Sequence, residues 1–385
     1  MVNNILIISS DHTGHGHKSI TESLCEKFPD SVNIHVVDGF SLGGRPLIKV
    51  GKSYGSITRN MEGLWEIIYD ISANKPSLIN EIVEMTIKVK FLKLIRKINP
   101  DLILSVHPNF NGSILNILEK NRIRIPVITL IADLVSITPL WADNRADYII
   151  SPTKEAKEKC ISYGVDEKKI KVLGFPVRSR FHGELEEQSF ESKNDYTLDK
   201  PLKCLIMSGG EGVGNMKKIA QILLNNFNCT VSIVAGRNKA LRKKLELSLN
   251  EKYGDRVKVY GFLENVEELM LESDIAFTRG SPNVMMEVVS CNIPLVITGC
   301  LPGQEEGNPA FAESNNLGVV CYKVRNLHSV MEDLLKDDAK KLNEIKHAQK
   351  KFCDKNTAKN ITDFIMNNDF SSDQYNLQQL VEKLV

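Results

Sequence analysis

Three polar side chains in the second half of the chain have types and spacing suited to a sugar nucleotide. Glu287 lies on a predicted helix, and Gln304 and Asn308 follow in a polar loop after the next predicted strand. A carboxylate accepts hydrogen bonds from ribose hydroxyls, while amide side chains both donate to and accept from sugar hydroxyls. Ser281 is the predicted N-cap of the helix and Pro282 its first residue, so the helix N-terminus can receive a phosphate. The stretch therefore predicts a nucleotide-sugar site at one edge of a sheet.

A glycine-rich turn provides a second feature suited to phosphate. It follows the predicted strand 203–207, contains Ser208, Gly209, Gly210 and Gly212, and leads into a helix. Glycines allow backbone N–H groups to approach phosphate oxygens closely. The Gly-Lys-Ser/Thr triplet of a Walker loop is absent, so the turn predicts diphosphate binding without ATP hydrolysis.

The first predicted strand, 4–10, is followed by two glycines and three histidines. Gly14 and Gly16, with Asp38 ending the next strand, imitate the NAD fingerprint. Ser19 occupies the position of the third glycine, which disfavours NAD but leaves it as an alternative. His17 ends the loop and has the near-neutral unperturbed pKa that suits a general base.

Buried strands alternate with helices along most of the chain, which predicts an α/β fold. Short apolar runs that end in polar residues are typical of parallel strands buried on both faces. In doubly wound sheets, ligands bind at the carboxyl ends of such strands, where the polar residues above are placed. The predicted strands are 4–10, 32–37, 101–106, 127–132, 147–151, 171–173, 203–207, 231–235, 257–260, 274–277 and 293–298.

The length of 385 residues predicts two domains. Residues 182–200 are polar and poor in branched apolar side chains, so we interpret them as a linker. The boundaries are then 1–181 for the first domain and 201–355 for the second, with mostly helical residues 356–385 at the end.

Composition excludes several functional classes. A net charge of +1 offers no global attraction for nucleic acid, and charged residues make up an ordinary 25% of the chain. Eight cysteines without CxxC pairs indicate reduced core residues in a cytoplasmic protein and no zinc site. The N-terminus reads as a strand and not as a signal peptide, and no apolar run reaches the length of a membrane span.

The combination GSPNVMMEVVSCNIPLVI followed by GQEEGN resembles the donor site of a family of lipid glycosyltransferases. This family includes monogalactosyldiacylglycerol synthase and the bacterial processive diacylglycerol glucosyltransferases; the peptidoglycan N-acetylglucosaminyltransferase is a more distant member. SVHPNF, SPTKEAKEKC and VLGFPVR resemble its N-terminal domain, so the resemblance spans about residues 1–325. It implies a GT-B fold, similar to glycosyltransferase family 28, in which two Rossmann-like domains face across a cleft and 356–385 return to the first domain.

The resemblance also implies roles for individual residues. The backbone at Gly261 and Phe262 is expected to meet uracil, and Arg178 in GFPVR to reach a phosphate with its planar guanidinium. The loop of Gly14 and Gly16 is expected to line the ligand cleft, with His17 on the acceptor side. His15 departs from the pattern, because the family usually has glycine there.

The expected reaction is an inverting transfer of a hexose from UDP-glucose or UDP-galactose to diacylglycerol or a glycosyldiacylglycerol. His17 is the preferred base and Asp133, at another strand end, the alternative. The sequence contains no DxD triplet, so we expect no metal: helix dipoles and backbone amides would stabilise the leaving diphosphate. UDP-sugar is then the donor substrate and the protein needs no cofactor.

Two stretches predict contact with an anionic membrane surface. Residues 47–71 combine aromatic, aliphatic and basic side chains, and 86–97, TIKVKFLKLIRK, form a basic amphipathic stretch. A packed helix with a solvated basic face is an equal alternative for 86–97. The protein is thus expected to be peripheral on the inner face of the cell membrane, without an obligate protein partner. The functional alternatives are transfer to another lipid or polyprenyl-linked acceptor, a UDP-sugar epimerase, and a UDP-sugar-binding regulator.

Overall fold

A computed structural model of the chain describes residues 2–11, 16–183, 195–210, 212, 214–368 and 370, without the side chains of 54, 56, 58–60 and 62. The chain divides into two compact units: unit 1 contains Met1–Pro176 and Asn356–Val385, and unit 2 contains Val177–Lys355. Most of the expected linker, residues 184–194, lies outside the described residues. Unit 2 begins before the expected boundary because Phe181 is fully buried there and its carbonyl accepts from Cys291 Sγ at 3.3 Å.

Unit 1 is built on a parallel sheet of six strands in the order β2-β1-β3-β4-β5-β6. Ile5 to Ile8 of β1 are fully buried, as expected for a strand covered on both faces. Its strands are β1 Asn4–Ser9, β2 Asn33–Asp38, β3 Leu102–Ser105, β4 Val127–Leu130, β5 Tyr148–Ser151 and β6 Ile170–Val172.

The helices of unit 1 include one from the end of the chain, α14. Thr362 Oγ1 of α14 donates to Lys27 O at 3.4 Å, and the Phe364 ring lies 5.1 Å from that of Tyr148. The helices are α1 Gly16–Cys25, α2 Gly39–Leu42, α3 Gly44–Asn60, α4 Glu62–Asn74, α5 Pro76–Ile98, α6 Pro108–Lys120, α7 Lys154–Ser162 and α14 Thr357–Asn367.

Helix α5 contains the basic stretch 86–97 and packs against α6. Ile87, Phe91 and Ile95 recur every four residues, are fully buried and form its core face. Glu84 is also buried, and Lys120 of α6 donates to its two oxygens at 2.7 and 2.8 Å. The expectation that the apolar residues of 86–97 lie on a membrane is therefore wrong for Phe91 and Ile95, because packing against α6 uses that face.

Unit 2 contains a second six-stranded parallel sheet, in the order β12-β11-β10-β7-β8-β9. Its strands are β7 Leu202–Met207, β8 Cys229–Val234, β9 Val257–Tyr260, β10 Ile275–Thr278, β11 Leu295–Ile297 and β12 Gly318–Val320. Its helices are α8 Met216–Asn226, α9 Lys239–Tyr253, α10 Val266–Leu271, α11 Pro282–Ser290, α12 Gly307–Ser314 and α13 Leu327–Phe352. The prediction of two Rossmann-like α/β units is confirmed.

Each sheet has one point where the direction of strand progression reverses. In unit 1 this point lies between β1 and β3, and in unit 2 between β7 and β10. In each sheet, the loops that follow the two strands beside the reversal point diverge to opposite faces. This leaves a crevice, and folds of this type bind ligands there. The crevice of unit 2 is flanked by the predicted glycine turn and by Arg279 to Pro282.

Two further properties bear on the expectations from composition. None of the eight cysteines, all of which the structure describes, forms a disulfide, and five of them are buried. In the part of the chain that the structure describes, no helix combines the length and the apolar character needed to cross a bilayer.

Candidate functional site

The carboxyl edge of the unit 2 sheet carries five loops in the order of its strands. Residues 261–262 follow β9, 235–238 follow β8, 208–212 follow β7, 279–281 follow β10 and 298–306 follow β11. Neighbouring strands lie about 4.8 Å apart, so the row extends over roughly 19 Å. Apart from Arg178, the unit 2 residues predicted for the nucleotide-sugar lie in this row or on the helices that follow β10 and β11.

The glycine turn after β7 is packed directly on the loop after β8. Gly212 has φ +58°, and a Cβ there would lie 2.0 Å from Ala235 O. Gly236 has φ +59°, and its Cβ would lie 2.3 Å from Gly210 O. Arg237 N donates to Gly210 O at 2.8 Å. Glycine is therefore required at both crossings, since any side chain would push the two loops apart.

Arg237 and Phe262 form a stack next to this turn. The guanidinium carbon lies 4.2 Å from the centre of the Phe262 ring, and the ring is 43% exposed. A cation on one face of an exposed ring fixes the orientation of the ring. The other face of the ring is then a flat surface on which another planar group can stack. The predicted uracil contact at Gly261 and Phe262 thus lies beside an arginine that sequence analysis did not select.

Helix α11 begins beside the glycine turn. Val284 Cγ2 lies 3.8 Å from the position of a Cβ on Gly209, so the two predicted phosphate-binding features are adjacent. Ser281 occupies the N-cap and Pro282 the first turn, as predicted, but the Ser281 side chain makes no capping hydrogen bond. The first N–H groups of the helix point to this end of α11.

Glu287 is buried on α11 and is paired with Arg178. Nη2 of Arg178 donates to Oε1 of Glu287 at 3.2 Å, and the guanidinium also covers the Phe181 ring at 5.1 Å. Arg178 was predicted to bind a phosphate. In the structure it contacts the carboxylate of Glu287, which was predicted to bind ribose. Arg178 therefore orients Glu287 in this structure.

Asn308 is fully buried at the start of α12. Its Nδ2 donates to Gly280 O at 2.8 Å, which joins the loop after β11 to the loop after β10. The bond uses Nδ2 alone, and Oδ1 makes no hydrogen bond in the described part of the chain. Gln304, in contrast, is only partly buried in the same loop and is the better placed amide.

The loop after β11 also contains a buried ion pair that sequence analysis missed. Nε of Arg279 lies 3.0 Å from Oε2 of Glu305, and Nη2 donates to Oε1 at 3.2 Å. The available signal was an arginine directly after one strand and a glutamate in the loop after the next, since loops after adjacent parallel strands share an edge.

In unit 1, His17 lies at the reversal point between β1 and β3. Its Nδ1 is 2.6 Å from Val106 O. A carbonyl oxygen only accepts, so Nδ1 carries the hydrogen and Nε2 carries the lone pair. Burial lowers the pKa of His17 to about 4, and the bond to Val106 opposes this only partly. The ring is therefore neutral at pH 7 with its lone pair on Nε2. The expectation of a near-neutral pKa is wrong, because burial makes this imidazole less basic.

His107 lies next to His17, with 4.5 Å between the ring centres. Its Nδ1 accepts from Asn109 N at 3.3 Å and so caps α6. Burial, and then the proximity of His17, hold the pKa of His107 well below its usual value. Two adjacent rings without charge avoid repulsion in a poorly hydrated environment.

Asp133, the alternative base, belongs to the same cluster. It is buried after β4, and Trp141 Nε1 donates to its Oδ2 at 2.8 Å. The Trp141 ring lies 6.3 Å from that of His17. The structure thus brings together the ends of β1, β3 and β4, as expected for a sheet edge. Gly16 begins α1, whereas Gly14 and His15 lie outside the described residues.

Two family models match this chain. Residues 14–177 match monogalactosyldiacylglycerol (MGDG) synthase, and residues 206–352 match glycosyl transferases group 1. The first match covers the histidine cluster and the second covers the row of loops in unit 2.

Curated relatives carry related names. A probable monogalactosyldiacylglycerol synthase 2 from Oryza sativa subsp. japonica is 28% identical over 336 residues, which cover 82% of this chain and 70% of the relative. A processive diacylglycerol beta-glucosyltransferase from Bacillus cereus is 28% identical over 377 residues, with 94% and 93% covered. The predicted resemblance to the monogalactosyldiacylglycerol synthase family is thereby confirmed. Both relatives, one from a plant and one from a bacterium, align over most of the present chain.

Solved structures with low sequence identity show the same fold. MurG from Acinetobacter baumannii has a TM-score of 0.60 at 13% identity, with 95% of this chain and 100% of that chain covered. A UDP-GlcNAc 2-epimerase from Neisseria meningitidis, bound to UDP-GlcNAc, has a TM-score of 0.61 at 13% identity and the same coverage. These similarities establish the GT-B-type architecture of the chain.

Proposed function

We propose that the protein transfers a hexose from UDP-glucose or UDP-galactose to diacylglycerol or a glycosyldiacylglycerol. The observation that carries this proposal is that the unit 2 loops bring four suited groups to one sheet edge. From β9 to β11 they offer an aromatic surface, a glycine turn, a helix N-terminus with a buried carboxylate, and a loop with an amide. A nucleoside diphosphate sugar presents a base, a ribose, two phosphates and a hexose, which these groups match.

The donor is held by groups of different chemistry. Phe262 and the adjacent backbone receive the uracil, and Glu287 accepts from ribose hydroxyls. The glycine turn and the N-terminus of α11 receive the diphosphate, because backbone N–H groups and the helix dipole favour negative charge there. Gln304 bonds the hexose. The binding of UDP-GlcNAc by the fold neighbour from Neisseria is consistent with this assignment.

The reaction proceeds by one in-line displacement that inverts the anomeric carbon. The acceptor oxygen forms a bond to the anomeric carbon while the bond between that carbon and the diphosphate oxygen breaks. UDP leaves with both electrons of the broken bond. The acceptor proton passes to Nε2 of His17. Preorganised donors at the glycine turn and at α11 stabilise the charge that develops on the diphosphate, so the step needs no metal.

His17 is the preferred base because of its tautomer. The Val106 carbonyl holds the hydrogen on Nδ1, which leaves Nε2 ready to accept. Asp133 already accepts from Trp141 through one oxygen and keeps that ring in place near His17. Asp133 is therefore the alternative base and otherwise a positioning residue for Trp141.

An apolar surface on α4 and α5 is suited to the lipid acceptor's membrane. On α5 the spacings of four, three and four residues place one apolar stripe on the face that does not pack against α6. Exposed lysines at positions 75, 90 and 93 lie in or next to these helices and favour anionic lipid. The exposed apolar residues are Leu64, Ile67, Ile68 and Ile71 on α4, and Leu78, Ile82, Met85 and Val89 on α5. The protein would thus be peripheral on the inner face of the cell membrane.

An assay with vesicles tests the transferase against its alternatives. The purified protein is incubated with radiolabelled UDP-glucose, UDP-galactose or UDP-GlcNAc and with anionic vesicles that contain diacylglycerol. A labelled glycolipid supports the proposal, and NMR of the product determines the anomeric configuration. An altered free nucleotide-sugar would instead indicate an epimerase, the activity of the Neisseria neighbour. Binding without turnover would indicate a regulator, and turnover only with a polyprenyl-linked acceptor would change the acceptor.

A further inference from the structure

We infer that Arg279 and Glu305 brace the loop after β11 and thereby set the affinity for the transferred hexose, but not for UDP. The inference rests on the proposed function, because it assigns the hexose to this loop. Neither residue was selected from the sequence. We call the pair, with the Asn308–Gly280 contact described below, the loop brace.

The ion pair has two points of contact. Nε of Arg279 lies 3.0 Å from Oε2, and Nη2 donates to Oε1 at 3.2 Å. Glu305 is 4% exposed, and the side chain of Arg279 is 21% exposed. Nε makes no hydrogen bond at that distance, so the pair consists of one charge-assisted hydrogen bond and one close contact between opposite charges.

Glu305 also closes the loop on itself. Its Oε2 accepts from Leu301 N at 2.7 Å, and its own N donates to Leu301 O at 3.0 Å. Gly303, with φ +75°, permits the sharp turn between them. Gln304 lies inside this closed turn, directly before Glu305. The conformation of the amide proposed to bond the hexose is therefore set by the carboxylate beside it.

The second contact of the loop brace lies at the end of the same loop. Asn308 Nδ2 donates to Gly280 O at 2.8 Å, and Gly280 N donates to Gly299 O at 2.8 Å. Arg279 and Gly280 are consecutive residues after β10, so both contacts tie the loop after β11 to the same short segment. That segment opens α11, which carries the diphosphate in the proposed function. The loop brace thus holds the hexose loop at a fixed place relative to the diphosphate.

Apart from those at α11, the contacts proposed for UDP lie after other strands. The glycine turn follows β7, and Arg237 and Phe262 follow β8 and β9. Glu287 is paired with Arg178, and this ion pair shares no residue with that of Glu305. Loss of the loop brace should therefore release Gln304 while the base, ribose and phosphate contacts remain. The carboxylate of Glu305 is buried, so removal of either partner leaves a polar group without its main interaction.

The test compares Arg279→Lys and Glu305→Gln with the wild type in two binding measurements. Calorimetry gives the Kd for UDP and for the UDP-hexose that the vesicle assay identifies as donor. We expect the UDP-hexose Kd and KM to rise roughly tenfold or more, as for loss of one charge-assisted contact, while the UDP Kd stays within about twofold. Discrimination between UDP-glucose and UDP-galactose should fall, because it depends on the placement of Gln304.

Asp333→Asn serves as the matched control, since it removes an exposed ion pair with Lys341 elsewhere in unit 2. Equal losses for UDP and UDP-hexose would overturn the inference and leave a purely structural role, and unchanged values for both would also overturn it. If Glu305→Gln fails to fold, Arg279→Lys retains the charge and decides the question. The proposed function fails separately, if the wild type binds no UDP at all.

Discussion

Arg178 and Glu287 lie 109 positions apart and form an ion pair of 3.2 Å within unit 2. Both side chains are largely buried, with exposed fractions of 16% and 10%. Arg178 is only the second residue of unit 2, directly after the chain leaves unit 1. The orientation of the carboxylate proposed to bind ribose therefore depends on the segment that connects the two units.

Variants of Arg178 can separate a carboxylate partner from a phosphate ligand. If Arg178 orients Glu287, Arg178→Lys should raise the Kd for uridine, UMP and UDP by a similar factor, because each ligand contains ribose. We expect this factor to be roughly ten or more. If Arg178 instead contacts phosphate directly, the variant should bind UMP and UDP more weakly and uridine with unchanged affinity. Calorimetry with the three ligands measures this. Arg180→Lys is the control, since Arg180 covers the same Phe181 ring but pairs with Glu267.

Replacement of His17 should abolish transfer without affecting the donor. We expect His17→Gln to lower kcat by about a hundredfold or more, the usual contribution of a general base, with an unchanged Kd for UDP. The measurement is glycolipid formation on vesicles beside calorimetry, with His328→Gln on the surface of α13 as control.

The companion variant is Asp133→Asn, which keeps an oxygen for Trp141. If this variant loses turnover while His17→Gln remains active, Asp133 is the base and our preference for His17 is refuted.

The stability of the protein should fall at acidic pH because of the buried histidines. The pKa of His17 is about 4 in the folded chain and about 6.5 when unfolded, so the unfolded chain binds more protons between these values. The free energy of unfolding should then be level above pH 6.5 and fall as pH drops towards 4, by at most about 1.4 kcal/mol per pH unit for each histidine. His107, whose pKa is also lowered, adds to the slope in the same direction.

Urea unfolding at intervals from pH 4.5 to 7.5 measures this slope. His17→Gln should reduce it, since glutamine does not titrate. An equal slope in the variant would show that His17 is not buried neutral in solution.

Gly236→Ala should destabilise unit 2 and weaken UDP binding. The new Cβ would lie 2.3 Å from Gly210 O, and φ is +59°, so both strain and a backbone clash result. We expect a loss of at least about 1–3 kcal/mol in unfolding free energy. Gly63→Ala is the control, because nothing lies within 4 Å of its Cβ. The measurement is the urea concentration at the unfolding midpoint of each variant. Similar midpoints for both variants would contradict the packing described for the glycine turn.

Polar substitutions on α4 and α5 should release the protein from membranes. Ile67→Ser with Met85→Ser removes two side chains that are 56% and 74% exposed, so folding should be little affected. Flotation with anionic vesicles should show at least roughly tenfold weaker binding, since each buried CH₂ contributes about 0.8 kcal/mol. Leu247→Ser on α9, where the side chain is 68% exposed, is the matched control. Equal binding by all forms would place the membrane contact elsewhere.

Much of the fold was predictable because its signals are local. Apolar runs that end in small polar residues marked the strands, and Ser281 with Pro282 marked the start of α11. The same local signals were ambiguous for α5, since apolar residues recur on two of its faces. Which stripe is buried depends on the position of α6, and this information is not in the helix itself.

The sequence by itself determined which polar groups stand at the ends of which strands, and hence the chemistry that each sheet edge can offer. Only the tertiary structure decided which of these groups remain open to a ligand and which bind one another. Arg279 pairs with Glu305, and Asn308 with Gly280, because the strand order places β11 next to β10 and so brings their loops together. Arg178 reaches Glu287 from the segment that connects the two units. Buried charges and amides require partners, and the partner is the group that packing places within reach, at whatever distance along the chain.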